Sequence, residues 1–342
     1  MGASDVHVTA GRPPLARVRG EVHPVPGGAT LTDEESRRLV YSILFEDQRA
    51  RFEADLELDC SLQVPGLSRF RVNVYNQRRG VGAVLRVIPS HIPTPAEIGL
   101  MPSVVKLADL PRGLVLVTGP TGSGKSTTLA ALIETINASR KRTILTIEDP
   151  IEFVYEDKQS LILQREVGQQ TKSFAEALRH ALRQNPDVIL VGEMRDLETI
   201  SLAISAAETG HLCFGTLHTQ DAPTTVDRII DVFPPGQQQQ VRIQVSTVLQ
   251  AVVSQILLPR KDAQGRVASR EVMVATPAVG NLIREGKTHM LYGAIEAGAK
   301  FGMITMDQHL AFLVKSNMVG LEDALAKARD PEGLKALISL GR

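Results

Sequence analysis

Residues Gly119 to Ser126 read G-P-T-G-S-G-K-S, with Gly119 and Gly124 bracketing four residues and a lysine and a hydroxyl following directly. Glycines free the backbone to turn several N–H groups toward one anion, and a helix that starts at the lysine adds its positive end. In such a loop Gly119, Pro120, Thr121, Gly122, Ser123, Gly124 and Thr127 form the cradle. Lys125 reaches the outer phosphates of a nucleoside triphosphate, and Ser126 ligates Mg²⁺. The run "GLVLVTG" before the loop predicts a buried strand, and "KSTTLAALIETINA" after it predicts a helix, which is the context this loop requires. ATP and Mg²⁺ are the expected cofactors.

Hydrolysis requires carboxylates at the same edge of the sheet, where ligands of open α/β folds bind beyond the carboxyl ends of strands. "TILTIEDP" ends in Glu148 and Asp149, and "DVILVGE" ends in Glu193, whereas Asp187 stands at the far end of its strand. Glu193 takes the Walker B place and holds Mg²⁺ directly or through water; Glu148 is the residue expected to polarise the attacking water. The residue pattern leaves open which of the two acts as general base.

A third cluster, "ETGHLCFGTLHTQD", places His211, Cys213 and His218 within eight residues. Alternation along a strand sets His211 and Cys213 on one face and His218 on the other, so the three do not converge as a zinc site demands. Cys213 reads as a small core residue. His218, at the carboxyl end of the strand, is placed to sense the γ-phosphate or the catalytic water. His211 begins the strand and suits a subunit contact equally well.

The elements that must position these residues alternate. "RTILTIEDP", "DVILVGE" and "HLCFGTLHT" predict strands, while "SFAEALRHALRQ" and "LETISLAISAAETG" predict helices, the latter stopped by Gly210. Repeated strand–helix units predict a doubly wound, RecA-like P-loop domain, class α/β, over 106–274. Before it, "SRFRVNVYNQ" and "GVGAVLRVIP" predict a hairpin in a small α+β domain, 1–92, with Gly80 and Gly82 between the strands and a Pro-containing linker at 93–105. In "FPPGQQQQVRIQVSTVLQAVVSQILLP" the spacing of Val241, Val245, Val248, Val252 and Ile256 predicts one continuous helix. Short helical patterns fill 275–342.

Bulk properties bound the function. The 342 residues carry 38 basic and 38 acidic side chains, so no net charge favours nucleic acid or an anionic membrane. Two cysteines build neither a disulfide framework nor a four-cysteine zinc motif. No signal-peptide pattern opens the chain and no apolar run suits a membrane span, which predicts a cytoplasmic protein without direct membrane insertion.

These motifs together resemble the secretion ATPase superfamily of type II secretion and type IV pili, and within it the pilus-retraction motors. The resemblance begins with "GASDVHVTAGRPPLARVRGEV" and "RFRVNVYNQRRGVGAVLRVIP". It runs through the phosphate loop, the Asp box "TIEDPIEF", the Walker B "DVILVGEMRD" and the His box "TGHLCFGTLHT", and ends in "NLIREGKTH" and "GMITMDQHL". It implies a PAS-like first domain, a RecA-like second domain and a homohexameric ring. It makes Glu148 the catalytic carboxylate, Glu193 the Walker B carboxylate, and His211 and His218 the His-box pair. Arg71 and Arg86 match first-domain arginines that reach phosphate, whose fixed charge suits a transition state gaining negative charge. The resemblance further implies an inner-membrane pilus platform protein as partner, an accessory retraction ATPase as another, and a place at the cytoplasmic face of the inner membrane. Relatives carry a short helix before "GASD" that this sequence does not contain. Extension and secretion motors carry a four-cysteine motif, so its absence favours retraction. The competing readings are an accessory retraction motor, a nucleic-acid motor and a non-catalytic ATP-dependent scaffold.

Overall fold

A computed structural model describes residues 2–339 apart from Arg19, Pro89 and Ser90. The predicted strand "GVGAVLRVIP" therefore ends in a proline outside the described residues. The chain divides into two compact units, one of 1–91 with 152–154, and one of 92–151 with 155–342.

The first unit is an antiparallel sheet with two helices. Its strands are β1 (Asp5–Val8), β2 (Leu15–Val18), β3 (Glu21–Pro24), β4 (Glu57–Val64), β5 (Ser68–Gln77) and β6 (Gly80–Ile88), in the spatial order β3-β2-β1-β6-β5-β4. Alternation sets Phe70, Val72 and Val74 of β5 inward, where they meet Val40 of α1 (Asp33–Ser42) and Phe52 of α2 (Glu46–Asp55). α1 starts at Thr32 because that side chain and Glu35 form a reciprocal capping box. The β5–β6 turn is Arg78–Arg79; Gly80 and Gly82 lie inside β6, not between the strands.

The second unit opens with the short α3 (Pro102–Val105) and is built on a seven-stranded sheet, β13-β12-β7-β11-β10-β8-β9. Its strands are β7 (Gly113–Thr118), β8 (Thr143–Glu148), β9 (Leu161–Glu166), β10 (Val188–Val191), β11 (Leu212–Leu217), β12 (Leu249–Pro259) and β13 (Arg266–Val274). All neighbours pair in parallel except β12 with β13. β7, β10 and β11 are buried along their whole length, as continuous apolar runs between two helical layers must be. The helices are α4 (Lys125–Ser139), α5 (Phe174–Ala181), α6 (Leu197–Glu208), α7 (Ala222–Asp231) and α8 (Pro235–Val248), then α9 (Pro277–Arg284), α10 (Leu291–Glu296), α11 (Met306–Lys315), α12 (Leu321–Leu325) and α13 (Pro331–Ser339). Leu129, Leu132, Ile133 and Ile136 of α4 are buried, as their spacing predicts.

One expectation fails. The helix predicted to run through Val252 and Ile256 stops at Val248, and those two residues belong to β12. The run from Val248 is apolar and β-branched, so helical and extended spacings both fit it; pairing with β7 decides in favour of the strand. Among the described residues no helix is long and apolar enough to cross a membrane.

Candidate functional site

Strand register decides what the carboxyl edge of the second sheet presents. β11 lies against β7 from Leu212 opposite Gly113 to Leu217 opposite Thr118. His218 therefore leaves the sheet level with Gly119, the first residue of the loop. β10 lies between β11 and β8, with Val191 opposite both Gly215 and Ile147, and Gly192 and Glu193 follow. β8 ends at Glu148. Along this edge the order is phosphate loop, His218, Glu193, Glu148. At about 4.8 Å per strand, Glu193's strand lies roughly 10 Å from the loop's strand and Glu148's roughly 14 Å. A side chain at Gly192 would press on the Ile147 carbonyl oxygen at 3.1 Å and the Glu148 Cα at 3.2 Å, so a glycine there lets the two acidic strand ends approach.

The loop itself turns on left-handed residues, Gly122 at φ +76° and Gly124 at φ +87°. Gly124 caps α4 without any side-chain acceptor, which leaves the first-turn N–H groups directed at an anion site. The Lys125 ammonium donates to the carbonyls of Gly119 at 2.8 Å and Pro120 at 3.1 Å and so folds over the loop. Ser126 lies half-buried in the first turn of α4. A cavity of about 500 Å³ opens beside the loop against Gly124, Thr127, Thr128, Gln255 and Arg270.

The two carboxylates are held differently. Glu148 is buried; its Oε1 accepts from the Thr146 hydroxyl at 2.7 Å and from the Gln164 amide at 3.3 Å, which fixes the carboxylate plane. Glu193 pairs with Arg195, and His218 Nε2 approaches its Oε1 to 2.8 Å. Burial pushes the Glu193 carboxyl up, but Arg195 and His218 outweigh that and hold it below the ordinary glutamate value. Oxygen donors of this kind, a charged carboxylate and a serine hydroxyl, are the set Mg²⁺ prefers.

His211 is remote from this cluster. It precedes β11, and its Nδ1 lies 2.9 Å from the Ala206 carbonyl of α6. Cys213 is fully buried, and burial pushes its thiol up to about 12. Asp187 accepts from Arg142 and from the Thr143 N–H at the amino end of the sheet. Arg71 and Arg86 belong to the first unit, where they are exposed cross-strand partners on β5 and β6, and Arg86 Nε donates to Asp5 at 2.9 Å. The structure thus assembles the loop, His218, Glu193 and Glu148 along one edge, and separately sets Arg71 beside Arg86.

Sequence reasoning gave no role to Arg195, Thr146 or Gln164. The Glu-Met-Arg spacing was a signal for Arg195. Gln164 lies on β9, a strand the pattern did not reveal.

Comparison with known proteins is consistent along the chain. The sequence profile described as "Type II/IV secretion system protein" matches residues 2–303. The chain is 53 % identical over 332 residues to the type IV pilus retraction ATPase PilT of Pseudomonas aeruginosa, covering 97 % of this chain and 96 % of that protein. It is 43 % identical over 340 residues to the type IV pilus ATPase PilU of the same organism, covering 99 % and 89 %. The crystal structure of the pilus retraction motor PilT with bound ADP superposes with a TM-score of 0.92 at 48 % identity, covering 98 % of this chain and 96 % of that one.

Proposed function

This chain belongs to the type II/IV secretion system protein family, and from that membership we propose that it is the ATPase motor that powers type IV pilus retraction. The observation that carries this reading is a complete phosphate loop with His218, Glu193 and Glu148 along one sheet edge, in a chain 53 % identical over 97 % of its length to a retraction ATPase. The 43 % identity to PilU makes the accessory motor the weaker reading. The balanced charge gives no support to a nucleic-acid motor.

In this reading the loop and the N-terminus of α4 bind the phosphates, Lys125 swings from the Gly119 and Pro120 carbonyls onto the outer phosphates, and the adjoining cavity houses the rest of the nucleotide. Ser126 and Glu193 would hold Mg²⁺, which supplies charge neutralisation on the phosphates. Glu148, held by Thr146 and Gln164, orients the water for in-line attack. His218 links the loop's edge to Glu193 and reports whether a γ-phosphate is present. Arg71 and Arg86, two cross-strand cations of the first unit, of which Arg86 pairs with Asp5, are matched to phosphate. His211 is the other His-box residue, and its place at the far end of the strand suits a subunit contact equally well. Six copies form the ring, ATP binding drives closure between the units and hydrolysis releases it, and the motion turns an inner-membrane platform protein at the cytoplasmic face.

Steady-state turnover by the purified protein tests the site. Lys125→Ala abolishes nucleotide binding and turnover. Glu148→Gln keeps ATP binding and loses about 10²-fold or more in turnover, the scale of a removed general base. Near wild-type turnover in either variant contradicts the assignment.

A further inference from the structure

Gln255 of β12 is 1 % exposed, and both its amide oxygen and its amide nitrogen are hydrogen-bonded. Its Oε1 accepts from the Thr128 hydroxyl of α4 at 2.9 Å, and its Nε2 donates to the Ser123 carbonyl at 2.7 Å. Its main chain also sits against the loop, since a side chain at Gly119 would overlap the Gln255 carbonyl oxygen. A phosphate cradle works only if its carbonyls face away from the anion. In a planar trans peptide the Ser123 carbonyl and the Gly124 N–H point in opposite directions. Holding that carbonyl against β12 therefore aims the Gly124 N–H to the opposite side, outward into the cradle.

The residue facing Gln255 across the β12–β13 ladder is Arg270, and directly opposed residues carry their side chains on the same face. Arg270 is 2 % exposed, and its guanidinium donates to the carbonyls of Ile98 and Gly99, each at 3.0 Å. Its Nε has no partner among the described residues, and burial lowers the guanidinium to about 10. Burying a cation against two carbonyls is costly, and a connection kept at that cost is a specific one. Ile98, Gly99, Gly124, Thr128, Gln255 and Arg270 line the same 500 Å³ cavity.

We propose that Gln255 is a positioning residue of the phosphate loop, and that with Arg270 it joins the loop to the segment around Ile98 and Gly99 near the start of the second unit. The proposal rests on the nucleotide-binding reading of Gly119–Ser126. An occupied loop is held in one geometry, and the Gln255–Arg270 pair carries that order to Ile98 and Gly99.

The test uses Gln255→Met, which keeps the volume and removes both hydrogen bonds, in the full chain. Titration calorimetry with ADP gives a Kd about tenfold above wild type, the scale of one to two lost hydrogen bonds. Hydrogen exchange at saturating ADP slows for the 95–101 backbone in wild type and does not slow in the variant, a difference that loss of packing alone would not produce. If Gln255→Met loses its circular dichroism spectrum, Thr128→Val removes the bond that orients the Gln255 amide toward the Ser123 carbonyl and takes its place in both measurements, with a smaller rise in Kd expected because only one of the two bonds is lost. A Kd within twofold of wild type overturns the role of Gln255, and retained protection at 95–101 overturns the link through Arg270. Failure of the wild-type protein itself to bind ADP overturns instead the nucleotide reading on which the proposal rests.

Discussion

Half-buried Glu193 and buried Glu271 show how neighbours decide what a carboxylate does. Glu193 has Arg195 and His218 beside it and stays ionised, ready to serve a cation. Glu271 on β13 is 2 % exposed, and burial raises it to about 7, although its carboxylate accepts from the N–H groups of Ala222 and Met306 at the starts of α7 and α11. Asp221 raises it further and Arg329 partly offsets this. Because its folded value lies above the unfolded one, the folded state holds the extra proton between about pH 4.5 and 7. Stability from this residue is accordingly lost as pH rises through that window and is constant above it. Replacement by Gln, which cannot ionise, raises unfolding free energy at pH 8 by up to about 3 kcal/mol and changes it little at pH 5, as read by denaturant titration at both values. An equal change at both pH values contradicts this.

The elements were legible to unequal degrees. β7, β8, β10 and β11 stand out because each is a short, largely apolar run bounded by a glycine, an acid or, for β11, His218, and α4 because its apolar residues keep one spacing. Leu132 of α4 is fully buried, so Leu132→Ala costs about 2–5 kcal/mol in denaturant unfolding, whereas an exposed helix position would lose well under 1 kcal/mol. β12 was not legible, because what makes Leu249–Pro259 a strand is an open edge of β7, a partner that lies more than a hundred residues away in sequence. Misreading β12 as helix also hid Gln255, whose role depends on which face of the sheet it occupies. At the site itself, the phosphate loop and both carboxylates could be read from strand ends. The Gln164 contact could not, because it depends on the pairing of β8 with β9, whereas Thr146 stands two residues before Glu148 on the same strand face.

At the scale of the whole molecule, the chain carries paired arginines on a small antiparallel unit and a phosphate loop on a unit with a mostly parallel sheet. A retraction motor makes a demand that a scaffold or an extension motor does not: pili must still be built in its absence. The most direct measurement is deletion of the gene in its own organism, scored for surface pili and for twitching motility, with complementation. The expected result is abundant pili without twitching, with twitching restored by the wild-type gene and not by one encoding Lys125→Ala. Loss of pili, or unchanged piliation and motility, would contradict it.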